Sequence, residues 1–106
     1  PFAVRTRQRI YLVQPSHVSY AESALRKVRI HVGDEVVETY AKLSALMREL
    51  PSRFVQCHKS YVVNMGFIKE IAQEYVLLTT GDRIPISQQR RKRVREEVLA
   101  YIGRVV

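Results

Sequence analysis

Residues 54–71 read Phe54-Val-Gln-Cys-His-Lys-Ser-Tyr-Val-Val-Asn-Met-Gly-Phe-Ile-Lys-Glu-Ile71. The stretch opens and closes on apolar groups: Phe54 and Val55 before, Tyr61, Val62, Val63, Phe67, Ile68 and Ile71 after. Between them lies a short polar knot, His58-Lys59-Ser60. A polar segment clamped at both ends by core residues cannot drift, which suits it to presenting side chains to a partner. Asn64 and Gly66 are expected to allow tight backbone here, because both tolerate left-handed dihedrals. Two readings follow. Either this is a rigid turn that offers Lys59 and its neighbours to DNA, or it is a buried crossover carrying one solvated lysine.

The flanking sequence alternates short apolar runs with turn residues. Ala3-Val4 and Ile10 to Val13 predict two short strands, followed by a turn at Pro15-Ser16-His17. Val18 to Ser23 predicts another strand, and Ala24-Leu25-Arg26-Lys27 a basic loop. Val28, Ile30 and Val32 alternate with Arg29 and His31, the period of a half-buried strand, which places His31 outward as a solvated residue. Gly33-Asp34 fits a glycine-first hairpin turn leading to a return strand from Val36 to Tyr40. The period then changes. Leu43, Leu46, Met47 and Leu50 share one face of a helix over 41–50, closed by Pro51. Two more strands are predicted over 67–71 and 75–80. Gly81-Asp82 repeats the earlier turn, and 83–86 pairs back with Pro85 on an edge. Ser87 caps a last helix from Gln88 to Tyr101, with Val94, Val98, Tyr101 and Ile102 on one face. The class is mostly β, with antiparallel strands and two helices.

The 106 residues predict one domain, and 46% hydrophobic content is ordinary for a soluble globular chain. Eighteen Lys and Arg against ten Asp and Glu give a formal charge of +8, which points to a polyanionic partner. Nucleic acid leads, an anionic membrane surface is second, and plain solvation is the alternative. The single cysteine, Cys57, excludes an internal disulfide. No apolar run approaches a membrane span and no signal peptide opens the chain, so a cytoplasmic protein without membrane partners is expected. The start on Pro1 rather than Met points to a piece of a longer protein.

Basic residues gather in four places: Arg5, Arg7 and Arg9 on alternating positions, Arg26-Lys27, Lys59, and Arg90 to Arg95. The last run is the most informative. Cations at a helix N-terminus oppose its dipole by roughly 0.3–1 kcal/mol each, so a function such as phosphate contact, aided by the free N–H groups, competes with local pairing to Glu96 and Glu97. Catalysis finds no support. Cys57 and His58 are adjacent and point to opposite faces of a strand, and no carboxylate pair, P-loop or dinucleotide turn is present. His17, His31 and His58 lack metal-ligand spacing. No catalytic residue, metal site or cofactor is therefore assigned, and Cys57 is expected to pack as a small hydrophobe.

Phe54 to Asn64 followed by Ile68-Lys-Glu-Ile71, with Leu77-Leu-Thr-Thr-Gly-Asp-Arg-Ile-Pro-Ile-Ser87 downstream, resembles the LytTR DNA-binding domain. Upstream, Val18-Ser-Tyr-Ala-Glu-Ser23, a basic loop, a hairpin and Tyr40 leading into a leucine-rich helix keep the same order, so the resemblance covers nearly the whole chain. It implies antiparallel strands in small sheets with short helices, serving as the output domain of a bacterial two-component response regulator. It implies loops entering successive major grooves of duplex DNA, at promoter direct repeats that seat a second copy. It also implies a receiver domain, absent here, that answers to a sensor kinase. Carried over by position, the base-reading candidates are Arg26-Lys27, Lys59 and Gln88-Gln89, with His58, Ser60, Arg90 and Arg91 as phosphate contacts. Many relatives carry arginine where this chain has Gln88 and Gln89. Arginine suits guanine and glutamine suits adenine, so base preference is open there, with Arg90 the candidate substitute. Two rivals are a basic RNA-binding β module, for which no exposed aromatic pair is evident, and a protein-interaction domain with an acidic partner.

Overall fold

In a computed structural model that describes residues 1–104, ten strands form three antiparallel sheets accompanied by two helices. The hairpin β1 (Phe2–Arg5) and β2 (Ile10–Val13) stands alone as a two-stranded sheet. The central sheet has five strands: β3 (Val18–Ala24), β4 (Lys27–Val32), β5 (Glu35–Tyr40), β6 (Phe54–His58) and β7 (Tyr61–Asn64). Their spatial order is β5-β4-β3-β7-β6. The third sheet has the order β10-β9-β8, from β8 (Ile68–Ile71), β9 (Tyr75–Leu78) and β10 (Arg83–Pro85). Pro85, which cannot donate to a ladder, lies on an edge strand as expected.

The central sheet is buried on both faces, which explains why β3 and β7 carry apolar or small residues at consecutive positions. One face presents Ala21, Val28, Ile30 and Val62 to Val4 and Val13 of the β1–β2 hairpin and to Leu43 and Leu46 of α1 (Leu43–Met47). The other presents Tyr20, Val55, Cys57 and Val63 to Val76, Leu78 and Ile84 of the third sheet and to Val94 and Val98 of α2 (Arg91–Ile102). Stacking these layers gives an elongated body of 47 × 24 × 24 Å.

Several local expectations need correction. His31 is half-buried. Its ring stacks on Tyr20 with centroids 3.9 Å apart, and its Nε2 lies 3.0 Å from Glu22 Oε2. The period of two put it on the correct face but could not show that Tyr20 covers that face. Asn64 and Gly66 do not use left-handed backbone: Asn64 has φ −80°, and neither residue has a positive φ. Instead Asn64 is buried, donates to the Val18 carbonyl (2.9 Å) and accepts from the Gly66 N–H (2.9 Å), starting a 3-10 turn over Met65–Phe67.

Helix α1 is half its predicted length: Lys42 at its N-cap supplies no side-chain cap, and beyond Met47 the chain tightens, with the Glu49 and Leu50 N–H groups donating to the carbonyls of Leu46 and Met47. Ser87 makes no side-chain cap. A 3-10 turn over Gln88–Arg90 precedes α2 instead. Tyr101 and Ile102 are exposed, so the buried face of α2 is Val94 and Val98 alone. Gly33-Asp34 is the two-residue turn predicted, with Gly33 at φ +58°. Gly81-Asp82 is not its repeat. There 79–82 form a longer loop in which the Gly81 N–H donates to the Leu78 carbonyl.

Candidate nucleic-acid interface

Three turns carry the candidate residues, and backbone hydrogen bonds tie them in series. The first joins β3 to β4. Ala24 pairs with Lys27, leaving Leu25 and Arg26 as a two-residue tip rather than the broader loop the sequence suggested. The second joins β6 to β7 through Lys59 and Ser60, between the paired residues His58 and Tyr61. The Ser23 N–H donates to the Ser60 carbonyl at 2.9 Å, so these two tips are held side by side.

The third turn follows β10. Its tether has a specific origin. The ladder between β6 and β7 shifts register between Gln56 and His58, a bulge at Cys57. A bulged residue is released from the ladder. The free Cys57 carbonyl accepts the Ser87 N–H at 2.9 Å, which docks the Gln88–Arg90 turn beside Lys59. Cys57 itself is fully buried, and burial pushes its thiol up to about 12. It therefore stays protonated and packs as a hydrophobe, as expected.

The Lys59 turn is internally braced. The Ser60 N–H donates to His58 Nδ1 at 3.0 Å, and the His58 ring meets Tyr61 edge-on at 5.5 Å. The Gln56 amide donates to the Lys59 carbonyl at 3.3 Å. His58 and Ser60 are half-exposed and partly occupied in holding the turn, while the Lys59 side chain is exposed.

Lys59 is the shared wall of two grooves. On one side it faces Leu25, Arg26 and Tyr40 across an open depression floored by Gln56 and α1 residues. On the other it lines a polar cleft with His58, Ser87, Gln88, Gln89 and Arg90. Arg26, Lys59, Gln88 and Gln89 are exposed, and Arg90 is half-exposed. Lys27 is set back. Its ammonium lies 5.3 Å from the ring centre of Tyr40, and the Arg7 guanidinium lies 5.6 Å from the same ring.

Arg5, Arg7 and Arg9 do not share a strand face. Arg7 and Arg9 belong to the connection between β1 and β2, which Thr6 closes by donating its N–H to the Arg9 carbonyl. That hairpin is docked on β5 by the Thr39 hydroxyl, which donates to the Arg5 carbonyl at 2.6 Å. Tyr40 and Gln56 were missed as groove-lining residues. Tyr40 could have been flagged as an aromatic at a strand end beside cationic turns; Gln56 offered no signal within its apolar strand.

The basic run at α2 divides. Arg93 pairs with Glu97 at 3.1 Å and Lys92 with Glu96 at 4.0 Å, both one turn apart, while Arg91 lies 3.7 Å from Glu74. The N–H groups of Arg90 and Arg91 are used by the Ser87 and Gln88 carbonyls, so these two amides are not free for phosphate. Arg90 faces the cleft beside Lys59. No group of three or more His, Cys, Asp or Glu side chains that could hold a metal ion occurs among the described residues. Likewise, no helix among them is long and apolar enough to cross a membrane.

Comparison with known proteins agrees with this architecture. A solved LytTr DNA-binding domain from Bacillus cereus superposes with a TM-score of 0.80 at 24% identity, covering 92% of this chain and 94% of that one, which establishes the shared fold. An uncharacterized response regulatory protein of Yersinia pestis is 32% identical over 95 residues, 85% of this chain and 39% of its own length. The sensory transduction protein LytT of Oceanobacillus iheyensis is 36% identical over 70 residues, 64% of this chain and 28% of that protein. The transcriptional regulatory protein BtsR of Escherichia coli is 27% identical over 95 residues, again 39% of its length. The chain thus spans less than two fifths of these relatives. Residues 8–98 match the family described as the LytTr DNA-binding domain, a family of DNA binders rather than enzymes. On that match, together with the three-sheet fold, this chain belongs to the LytTr DNA-binding domain family.

Proposed function

We propose that this domain binds duplex DNA sequence-specifically as the output module of a bacterial response regulator. The three tethered tips carry the contacts. Arg26, Lys59 and the Gln88-Gln89 pair meet base edges, while Lys27, His58, Ser60, Arg90 and Arg91 meet phosphates or brace the tips. One observation supports the proposal most: Lys59 lines both grooves, so the Arg26 tip and the Gln88–Gln89 turn flank it as near neighbours. A formal charge of +8 supports a phosphate backbone as the partner. The rest of the regulator supplies a receiver domain addressed by a sensor kinase. Two copies occupy direct repeats at a promoter, in the cytoplasm.

Binding of duplex DNA and of single-stranded RNA is to be compared at one fixed salt concentration, with wild type and Lys59→Ala. Duplex preference is expected, and Lys59→Ala should cost about 1–3 kcal/mol with loss of discrimination at one position. Equal or tighter binding of single-stranded RNA would refute the proposal. Weakening that is uniform across duplex sequences would reassign Lys59 to phosphate.

A further inference from the structure

The tips of β3–β4 and β4–β5 are both two-residue turns in the same sheet, and both have a first residue with left-handed φ. In β4–β5 that residue is Gly33 at φ +58°, where glycine carries no steric penalty. In β3–β4 it is Leu25 at φ +59°, the one non-glycine residue with positive φ among those described. A bulky residue there strains the backbone, and such strain gathers at ligand-contacting sites. Packing does not offset it, because Leu25 is 104% exposed, the most exposed of the large hydrophobics. Leucine at this position therefore serves nothing inside the fold.

Its surroundings indicate what it meets. Leu25 adjoins Arg26 at the tip and borders the groove whose far wall is Lys59. Resting on the duplex-binding reading above, we propose that Leu25 is a specificity residue that reads the 5-methyl group of thymine in the major groove. Thymine is the base that presents an apolar group there, and aliphatic side chains are its natural partners. Arg26 and Lys59 on either side supply the attraction that brings the leucine to the base edges.

The test starts from the duplex sequence that wild-type protein selects from a random pool. Each thymine of that site is replaced in turn by deoxyuridine, which removes only the methyl group. Wild type should lose about fourfold in affinity, the worth of one buried methyl, at one or two positions. Leu25→Gly and Leu25→Asn, which both tolerate the left-handed backbone, should show no such loss and no lowered thermal midpoint. Two results would overturn the proposal: a wild type indifferent to every replacement, or a glycine variant that loses affinity at the same positions as wild type. Failure of wild type to select any sequence would instead sink the duplex-binding reading itself, and this inference with it.

Discussion

The tether between Ser87 and Cys57 can be cut without touching a candidate contact. Ser87 has φ −69°, the value proline imposes, so Ser87→Pro removes the N–H while keeping the local backbone. The Cys57 carbonyl then loses its donor in a buried setting, which costs about 1–3 kcal/mol. Proline returns roughly 0.4–1 kcal/mol by restricting the unfolded chain. The net loss of about 1–2 kcal/mol is measurable from the shift in urea midpoint at constant slope. Ser87→Ala is the control. It keeps the N–H and removes only a hydroxyl 3.4 Å from Arg90, so it should fall within roughly 0.5 kcal/mol of wild type. In DNA binding, Ser87→Pro should lose discrimination only under the Gln88–Gln89 tip, by about 1–3 kcal/mol per base pair. Positions read by Arg26 and Lys59 should be unaffected. Unchanged discrimination everywhere, in a variant that has lost the expected stability, would refute the idea that this hydrogen bond positions the third tip.

Other outcomes follow from single contacts. Asn64→Leu leaves the Val18 carbonyl and the Gly66 N–H without their partner, and should cost about 2–5 kcal/mol by urea unfolding; a loss under 1 kcal/mol would contradict its role as the buried link. Arg90→Gln should flatten the plot of log affinity against log salt by about one unit, whereas Arg93→Gln should change it less, because Arg93 is paired with Glu97. The reverse order would move the phosphate path onto the outer face of α2. Burial holds the Cys57 thiol up at about 12 against an ordinary 9.0, and burial, Asp82 and Glu22 hold Tyr20 at about 12 against 10.0. The folded chain thus keeps protons that the unfolded chain releases. Stability should therefore fall as pH rises toward 12, from about pH 9 for Cys57 and from about pH 10 for Tyr20, by up to about 1.4 kcal/mol per unit for each group within its window. Cys57→Val should show a shallower fall, and an identical one would contradict the assignment.

Much of the fold was legible because its cues are local. The alternation of Val28, Ile30 and Val32 fixes the buried face of β4, and Pro85 marks an edge without knowledge of its neighbours. What escaped depends on contacts distant in sequence. Nothing near Asn64 says that its amide reaches Val18. Nothing near His31 says that Tyr20 stacks on it, since the register between β3 and β4 decides that pairing. The candidate site divides in the same way. Charge and motif pointed to Lys59 and its neighbours, whereas the bulge at Cys57 that docks the third tip appears only when β6 and β7 are paired. Leu25 was hidden because a leucine in a turn looks ordinary until its φ is known. Helix α1 was overestimated because apolar spacing over 43–50 continues through residues that turn more tightly than an α-helix.

Hydroxyl-radical footprinting of one bound copy on its selected duplex tests most directly whether the three tips address DNA from a single side. The 47 Å length of the domain spans roughly 14 base pairs at the 3.4 Å rise of each strand. Protection should fall on one face of the helix within about that length, and Lys59→Ala should leave its outline in place while erasing preference at one position. Protection encircling the duplex, or none at all under saturating protein, would contradict the account.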